Sequence, residues 1–533
     1  MSDPYYVTTS IPYVNAAPHV GHALEFVQAD VFARYHRLLD DDVRLLTGTD
    51  DNSLKNVLAA EREGVPVRDL VDRNAAAFAD LAAALHVSYD DFIRTSADAR
   101  HVAGVRRLWR ALERSGDVYK RTYQGLYCVG CEQFYTPDEL VDGRCPDHGT
   151  LPDLVAEENY FFRLSRYAEQ LADLIERGDL QIIPHARRNE VRAFIARGLE
   201  DFSISRSRRR ARGWGIEVPG DPDQVMYVWF DALANYITAL GYATDGDLYR
   251  RYWKENPRRV HVIGKGILRF HAVYWPAMLL SAGEPLPRTI FVHGYLTIGG
   301  AKISKSLGNA VDPASLVGRY GVDALRYWLL REVPPTGDAD YTEERLQRRY
   351  DADLADDLGN LLHRTLNMIH RYRGGCVPAL PLRSALEPAD QSLAAVGAAV
   401  GGRLRAAIER DYDPQAALAA IWEVVARANR YVEETAPWAL ARAARNGDTP
   451  DGKAAGRRLD AVLYHLAEAL RLVAESLRPF LPDTAARIAA QLGVEPADAS
   501  WTEALSWGRL PLGTVAQPPQ PLFPRLEVRT RPT

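Results

Sequence analysis

Cys128-x2-Cys131 and Cys145-x2-His148 form two short chelating turns separated by thirteen residues. Two thiolates from one turn, with a thiolate and an imidazole from the other, make a closed tetrahedral Zn²⁺ site. Such a site leaves no coordination position for substrate, so its role is structural. Near the N-terminus, Pro18 precedes His19-Val20-Gly21-His22. These two imidazoles stand between a strand and a helix, where free backbone N–H groups and the helix dipole suit a nucleotide triphosphate. Gly21 lets a ligand approach the backbone. Two surface histidines in a loop would give the same tetrapeptide. Far downstream, Lys302-Ile303-Ser304-Lys305-Ser306 puts two ammonium groups in a segment flanked by glycines and serines. A loop of that kind can close over phosphates and neutralise a leaving pyrophosphate. A solvated basic turn has the same composition.

The elements that position these groups follow from local patterning. Tyr5–Thr9 and Val43–Leu46 read as strands, and about Leu24 to Leu39 and the segment after TGTD (Thr47–Asp50) read as helices. Strand–loop–helix alternation predicts an α/β parallel sheet, with ligands at the carboxyl ends of its strands. From about Tyr119 to Arg212 the texture changes to short apolar runs around the cysteine cluster, which predicts an insertion. The sheet pattern resumes in VMYVWFDALANY and RVHVIGKGILRFHAVYWPAMLL. Beyond about Tyr350 long Ala-, Leu- and Arg-rich periodic stretches predict a helical bundle reaching about Leu492. The Pro-rich C-terminal segment should run extended.

The length, 533 residues, gives a prior of roughly three or four domains. Apolar residues at 47% and charged residues at 25% exclude a disordered or collagen-like chain. Sixty-five Lys and Arg against 70 Asp and Glu, a net charge of −5, exclude a uniformly basic coat protein but not a local basic face. Four cysteines with this spacing are no secreted disulfide framework. Cys376, outside the zinc set, reads as a buried, inert thiol. The start MSDPYYVTTSIPYVN lacks the basic end and long apolar core of a signal peptide, and no apolar run is long enough to span a membrane. A cytoplasmic protein is expected.

His19-Val20-Gly21-His22 and Lys302-Ile303-Ser304-Lys305-Ser306, in this order, resemble the two ATP motifs of the class I aminoacyl-tRNA synthetases. YYVTTSIPYVNAAPHVGH, LLTGTD, YVWFDALANY, IGKGILRFHAVYWPA and DLGNLLHRTLN narrow the resemblance to the methionyl-tRNA synthetase family, from about Tyr5 to at least Leu481. The resemblance implies a Rossmann-like catalytic domain split by a connective insert with a zinc knuckle, then a KMSKS-bearing subdomain and an α-helical anticodon-binding domain. The corresponding boundaries are 1–117 and 214–288 for the two catalytic halves, 118–213 for the insert, 289–347 for the subdomain, 348–515 for the anticodon domain and 516–533 for a tail. It implies an ATP- and Mg²⁺-dependent ligase charging tRNA(Met) with L-methionine, with one structural Zn²⁺ per chain. Thr8, His19, Gly21 and His22 would hold the triphosphate, and Lys302, Ser304 and Lys305 the departing pyrophosphate. Asp50 and the Ile11 carbonyl would hold the substrate ammonium. Tyr13, Trp229, Ala232, Leu233, Tyr236, Ile267 and His271 would enclose the thioether, a polarisable group that packs well on aromatic rings. Asn360, Arg364 and Trp438 would read the anticodon, joining amide and guanidinium donors to a stacking plane. With no appended dimerisation domain in view, a monomer is expected. The basic runs Arg107–Arg110 and Arg206–Arg212 could meet the tRNA backbone or simply face solvent.

Three positions depart from the family pattern. Asp51-Asn52-Ser53 stands where Glu-His-Gly is usual. Gly264-Lys265-Gly266 stands where GKD is usual, which removes a carboxylate normally close to the position of Arg206. Ile303 replaces the methionine of KMSKS, a conservative change. The first two motivate rival readings: a paralogue activating another amino acid or using a non-tRNA acceptor, or a non-catalytic tRNA-binding protein.

Overall fold

The structure is a computed structural model describing residues 2–130, 132–146, 149–303, 309–379, 386–445, 447, 449–495 and 500–526, with Gln133 and Lys302 described by their backbone alone. The chain divides into two compact units: Met1–Ala33, Asp41–Tyr295 and Ile303–Pro313 form one, and Arg34–Asp40, Leu296–Lys302 and Ala314–Thr533 the other.

The first unit is built on a six-stranded, all-parallel sheet. Its strands are β1 (Pro4–Thr9), β2 (Asp42–Thr49), β3 (Asp91–Arg94), β4 (Gln181–Ile183), β5 (Arg259–Gly264) and β6 (Thr289–His293), in the spatial order β3-β2-β1-β5-β6-β4. The inner strands are continuous buried runs, as a sheet covered on both faces requires, and the edges β3 and β4 are shorter and more exposed. The strand order reverses between β1 and β5, so the crevice beyond their carboxyl ends is the place such a fold binds ligands. Four helices carry or brace the residues around it: α1 (Val20–Leu38), α2 (Leu54–Glu63), α3 (Ala99–Arg114) and α4 (Val228–Thr238). α3 and α4 cross closely at Gly104, where a Cβ would come within 2.4 Å of Thr238 Cγ2.

The insertion is an antiparallel sheet. Val118–Cys128 pairs along its length with Asp153–Phe162, from Val118 opposite Phe162 to Tyr127 opposite Asp153, and Gln133–Tyr135 and Phe202–Ser203 add flanking strands. One segment inside the expected insertion belongs elsewhere. Gln181–Ile183 returns to the main sheet as edge strand β4, its three residues too few to carry a recognisable strand pattern.

The second unit contains a small sheet of Leu296–Ile298, Ala301–Lys302 and Ala339–Asp340 and a helical bundle. Bundle helices Pro388–Arg405, Pro414–Thr435, Pro437–Ala443, Pro450–Leu477 and Pro482–Leu492 all begin at proline, whose fixed φ suits a first turn that needs no N–H partner. Pro450–Leu477 is buried almost throughout its last nineteen residues and forms the bundle's axis. Arg471 makes a bidentate pair with Glu468 inside the core, and Glu468 also accepts from the Gly508 and Arg509 N–H groups. Residues 516–526 of the Pro-rich C-terminal segment form no helix or strand. The segment is pinned to the bundle by Ala516 N–H on Gly375 O, Gln517 N–H on Gln491 O and Tyr350 Oη on Pro524 O. Cys376 is exposed rather than buried, because it follows the Gly374-Gly375 turn that closes helix Asn360–Arg373.

Candidate active site

The loop after β1 turns into α1 at His19–His22. Each histidine uses its Nδ1 as an acceptor for a backbone N–H: Gly21 N–H on His19 and His19 N–H on His22, both at 3.1 Å. Both rings therefore carry their proton on Nε2 and present a donor. Their centroids are 4.0 Å apart. Burial, reinforced by His19, holds His22 well below the usual histidine pKa, so it donates as a neutral imidazole. Gly21 is needed because a Cβ there would lie 2.9 Å from His19 Cε1.

Two residues that sequence reasoning misses brace this loop. Glu25, one turn into α1, accepts from the Ser10 N–H (2.7 Å) and hydroxyl (2.6 Å), and its other oxygen meets His293 Nε2 at 2.8 Å. The carboxyl end of β1, the first turn of α1 and the end of β6 are thus tied to one carboxylate. Thr8, expected to hold the triphosphate, is fully buried with its hydroxyl 2.8 Å from His261 Nδ1. Its side chain joins β1 to β5 because alternate residues of a central strand face the covering layers.

Asp50 follows β2 and is 1% exposed. Its N–H donates to Pro12 O, and Asn52 N–H reaches its Oδ1 at 3.3 Å. Burial, then the neighbouring Asp231, Glu132 and Asp51, push its pKa well above the usual carboxylate range. A buried carboxyl among three others is an electrostatic site for a cation. Tyr13 bridges to Asp50, and Ile11 lies partly buried just before it.

The apolar wall adjoins this carboxyl. Trp229, at the start of α4, stacks on Phe270 at 3.9 Å and meets Tyr13 edge-on at 6.3 Å. Ala232, Leu233 and Tyr236 follow on α4, all buried, and Ile267 is half-buried. His271 donates from Nδ1 to the Ile267 carbonyl (2.9 Å), which leaves Nε2 to accept from Tyr236 Oη at 2.7 Å. Burial lowers the His271 pKa to about 4, so the wall is uncharged near neutral pH. A carboxylate beside a neutral aromatic cage fits an ammonium on an apolar side chain.

The residues that depart from the family pattern are integrated. Asp51 accepts from Thr49 and Ser96 hydroxyls and from Arg94. Asn52 Nδ2 donates to Asp231 Oδ2 at 2.6 Å, and Asp231 in turn contacts His101 on α3. Ser53 caps α2, accepting from Lys55 N–H, and donates to Glu132 at 2.8 Å. Gly266 is filled from outside: a Cβ there would lie 1.8 Å from Tyr295 Oη, and Lys265 Nζ stands over the Tyr295 ring at 4.8 Å.

Comparison with known proteins agrees with this geometry. The family model described as tRNA synthetases class I (M) matches residues 5–152 and 137–366, and the anticodon binding domain of methionyl tRNA ligase matches 405–532. The methionine–tRNA ligase of Caldanaerobacter subterraneus subsp. tengcongensis is 44% identical, over 99% of this chain and 80% of that protein. That of Mycobacterium leprae is 44% identical, over 98% and 95%. The chain belongs to the methionine–tRNA ligase family. A solved methionyl-tRNA synthetase of Mycobacterium tuberculosis, in complex with methionyl-adenylate, superposes with a TM-score of 0.91 at 43% identity, covering 98% of this chain and 100% of that one. The free-state structure of the same enzyme gives 0.84 at 41% identity, covering 100% and 99%.

In this chain Cys128 and Cys145 are buried in one small cluster with Tyr135 and Leu140. Each begins a tight turn. The strands around Cys128 pair it with Gln133, while Gly149 N–H donates to Cys145 O and Cys145 N–H to Thr150 O. Two buried thiols heading adjacent turns fit a metal knuckle. Cys131 and His148 lie outside the described residues, as do Ser304 and Lys305. Lys302 is placed by its backbone in the small sheet of the second unit. Asn360 is exposed and Trp438 is 42% exposed, while Arg364 is held by Glu433 at 2.7 Å. Glu433 lies near the end of the helix that leads directly into Pro437-Trp438, so Arg364 and Trp438 share one end of the bundle. Among the described residues no helix is long and apolar enough to cross a membrane.

Proposed function

We propose that this chain activates L-methionine with ATP to methionyl-adenylate and transfers the methionyl group to tRNA(Met). The observation that carries the reading is Asp50, a buried carboxyl paired with Tyr13, whose ring meets Trp229 in the neutral wall that the Tyr236–His271 pair extends. The substrate ammonium supplies the charge that lets Asp50 ionise, and the thioether fills the aromatic wall. The methionine carboxylate attacks the α-phosphorus of ATP. One P–O bond forms, the bond to the β-phosphate oxygen breaks, and pyrophosphate leaves with the electron pair. The Nε2–H groups of His19 and His22 are preorganised donors for phosphate oxygens. Lys302 and Lys305 neutralise the departing pyrophosphate, with Ser304 between them, and Mg²⁺ enters with ATP. A terminal ribose hydroxyl of the tRNA then attacks the activated carbonyl and AMP leaves. Catalysis is positioning plus electrostatics, with no covalent enzyme intermediate.

Cys128, Cys131, Cys145 and His148 are proposed to hold one structural Zn²⁺, which would fix the insert and take no part in the chemistry. Asn360, Arg364 and Trp438 are proposed to read the anticodon. The expected setting is a cytoplasmic monomer.

The test is ATP–pyrophosphate exchange with each of the twenty amino acids. Methionine alone should support exchange, and Lys305→Ala should cut it at least 100-fold with the fold intact. Exchange with a different amino acid would replace this reading with a paralogue. No exchange would leave a tRNA-binding protein.

A further inference from the structure

Glu132 belongs to the insert, between the paired residues Cys128 and Gln133, yet its side chain reaches the amino-acid site. Its φ of 56° lies in the left-handed region that a residue with a side chain rarely takes. The side chain is 1% exposed. Three contacts hold the residue in place. Its carbonyl accepts from the Tyr227 hydroxyl. Its Oε1 accepts from the Ser53 hydroxyl at 2.8 Å and from the Lys55 N–H, at the start of α2, at 3.3 Å. Ser53 stands where the family usually has glycine, so the shorter of these two bonds is one that this chain adds. The other carboxyl oxygen, Oε2, is buried without a donor.

A matching orphan lies on Tyr13, whose Oη is buried without a partner. The rest of Tyr13 is held. Its backbone bridges to Asp50, Lys55 Nζ stands over its ring at 4.7 Å, and Trp229 meets the ring edge-on at 6.3 Å. Only the hydroxyl end is unfastened. Burial raises the Tyr13 pKa well above the usual phenol range, and the Glu132 carboxyl is the next influence on it, ahead of Asp50. Burial also raises the pKa of Glu132, and Lys55, Ser53 and the Tyr13 hydroxyl act against that rise. The phenol and the carboxyl are therefore neighbours, one a buried donor and the other a buried acceptor. Each is costly while unpaired, and one hydrogen bond removes both costs.

We propose that Glu132 is a positioning residue of the amino-acid site: its Oε2 accepts the Tyr13 hydroxyl in the loaded site and fixes the ring against which the methionine thioether packs. The proposal rests on the synthetase function proposed for the chain. Ser53 and Lys55 fix Oε1, so the orientation of Oε2 is set before substrate arrives, and the ordering of the Tyr13 ring takes less of the binding energy. A residue of the insert thereby shapes the wall without touching methionine.

The test is ATP–pyrophosphate exchange by the whole enzyme over a range of methionine concentrations. A parent enzyme inert with methionine would overturn the synthetase reading and this proposal with it, whereas an active parent leaves the variants to decide on Glu132 alone. Glu132→Gln keeps an oxygen for Ser53 and Lys55 but turns an amide, not a carboxylate, toward Tyr13. It should raise the KM for methionine about tenfold and leave kcat and the KM for ATP within roughly twofold. Tyr13→Phe should give the same rise, and the double variant should show no more than either single variant, because both changes remove one bond. Multiplied losses in the double variant would overturn the pairing and assign Oε2 to Arg206 or Arg210, which line the same cleft as Glu132. A Glu132→Gln enzyme with the parent's KM for methionine, or one that loses kcat and ATP affinity as well, would make the carboxyl a mere tether of the insert.

Discussion

At residue 266 a hydroxyl from elsewhere stands where a side chain would begin. Restoring the family's aspartate there is therefore not a simple repair. Gly266→Asp brings its Cβ within 1.8 Å of Tyr295 Oη, a distance no relaxed side chain tolerates, so Tyr295 must leave its place against Lys265. Gly266→Asp alone should lower methionine-dependent exchange at least tenfold, and Gly266→Asp with Tyr295→Ala should recover most of that loss. Steady-state exchange of the two variants measures it, and a single variant as active as the parent would show that Tyr295 moves freely. The same position shows what a sequence conceals. His19 and His22 stand out by type and local spacing, while Asp50 and Trp229 are reached only through the family resemblance. Glu25 is not legible, since its importance comes from clasping Ser10 and, 268 residues away, His293. Tyr295 is equally silent, because its partner is a residue with no side chain. Thr8, which the resemblance assigns to the triphosphate, has its hydroxyl on His261 inside the sheet.

At the scale of elements, the amino-acid wall is held by one neutral imidazole between α4 and the segment after β5. His271 joins them only while Nε2 accepts from Tyr236 and Nδ1 donates to Ile267. Its pKa is lowered to about 4 by burial, against about 6.5 in an unfolded chain. Between those values the unfolded state binds the proton and the folded state does not, so stability must fall as pH falls through this window. The loss should reach about 3 kcal/mol for a fully buried group. Urea midpoints measured from pH 7 to pH 4 check it, and His271→Asn should show a shallower dependence than the parent. An unchanged slope would remove His271 as the cause. Element types are mostly readable in this chain: continuous apolar runs are parallel strands, and periodic Ala-Leu stretches are bundle helices. The edge strand Gln181–Ile183 is not, because three residues have no period and its partner strand β6 lies more than a hundred residues further along the chain.

At the scale of the whole molecule, the division into two units separates two kinds of work. The proposed site for methionine and the loop of His19 and His22 belong to one, and the exposed Trp438 with Arg364 to the other. Trp438→Ala should raise the KM for tRNA in aminoacylation roughly 5- to 150-fold, the range that about 1–3 kcal/mol of base stacking spans, and leave ATP–pyrophosphate exchange within twofold. Equal losses in both assays would mean that the tryptophan supports the fold instead. The sheet itself carries a consequence for biogenesis. Its two central strands, joined side by side through Thr8 and His261, are 253 residues apart in sequence. A ribosome adding about 5–20 residues per second leaves β1 without its inner neighbour for roughly 13–50 s. Throughout that interval the nascent chain exposes an apolar strand edge that β2 and β3 can cover on one side only. The half-built sheet is therefore the stage of this protein's life at which a chaperone has most to protect.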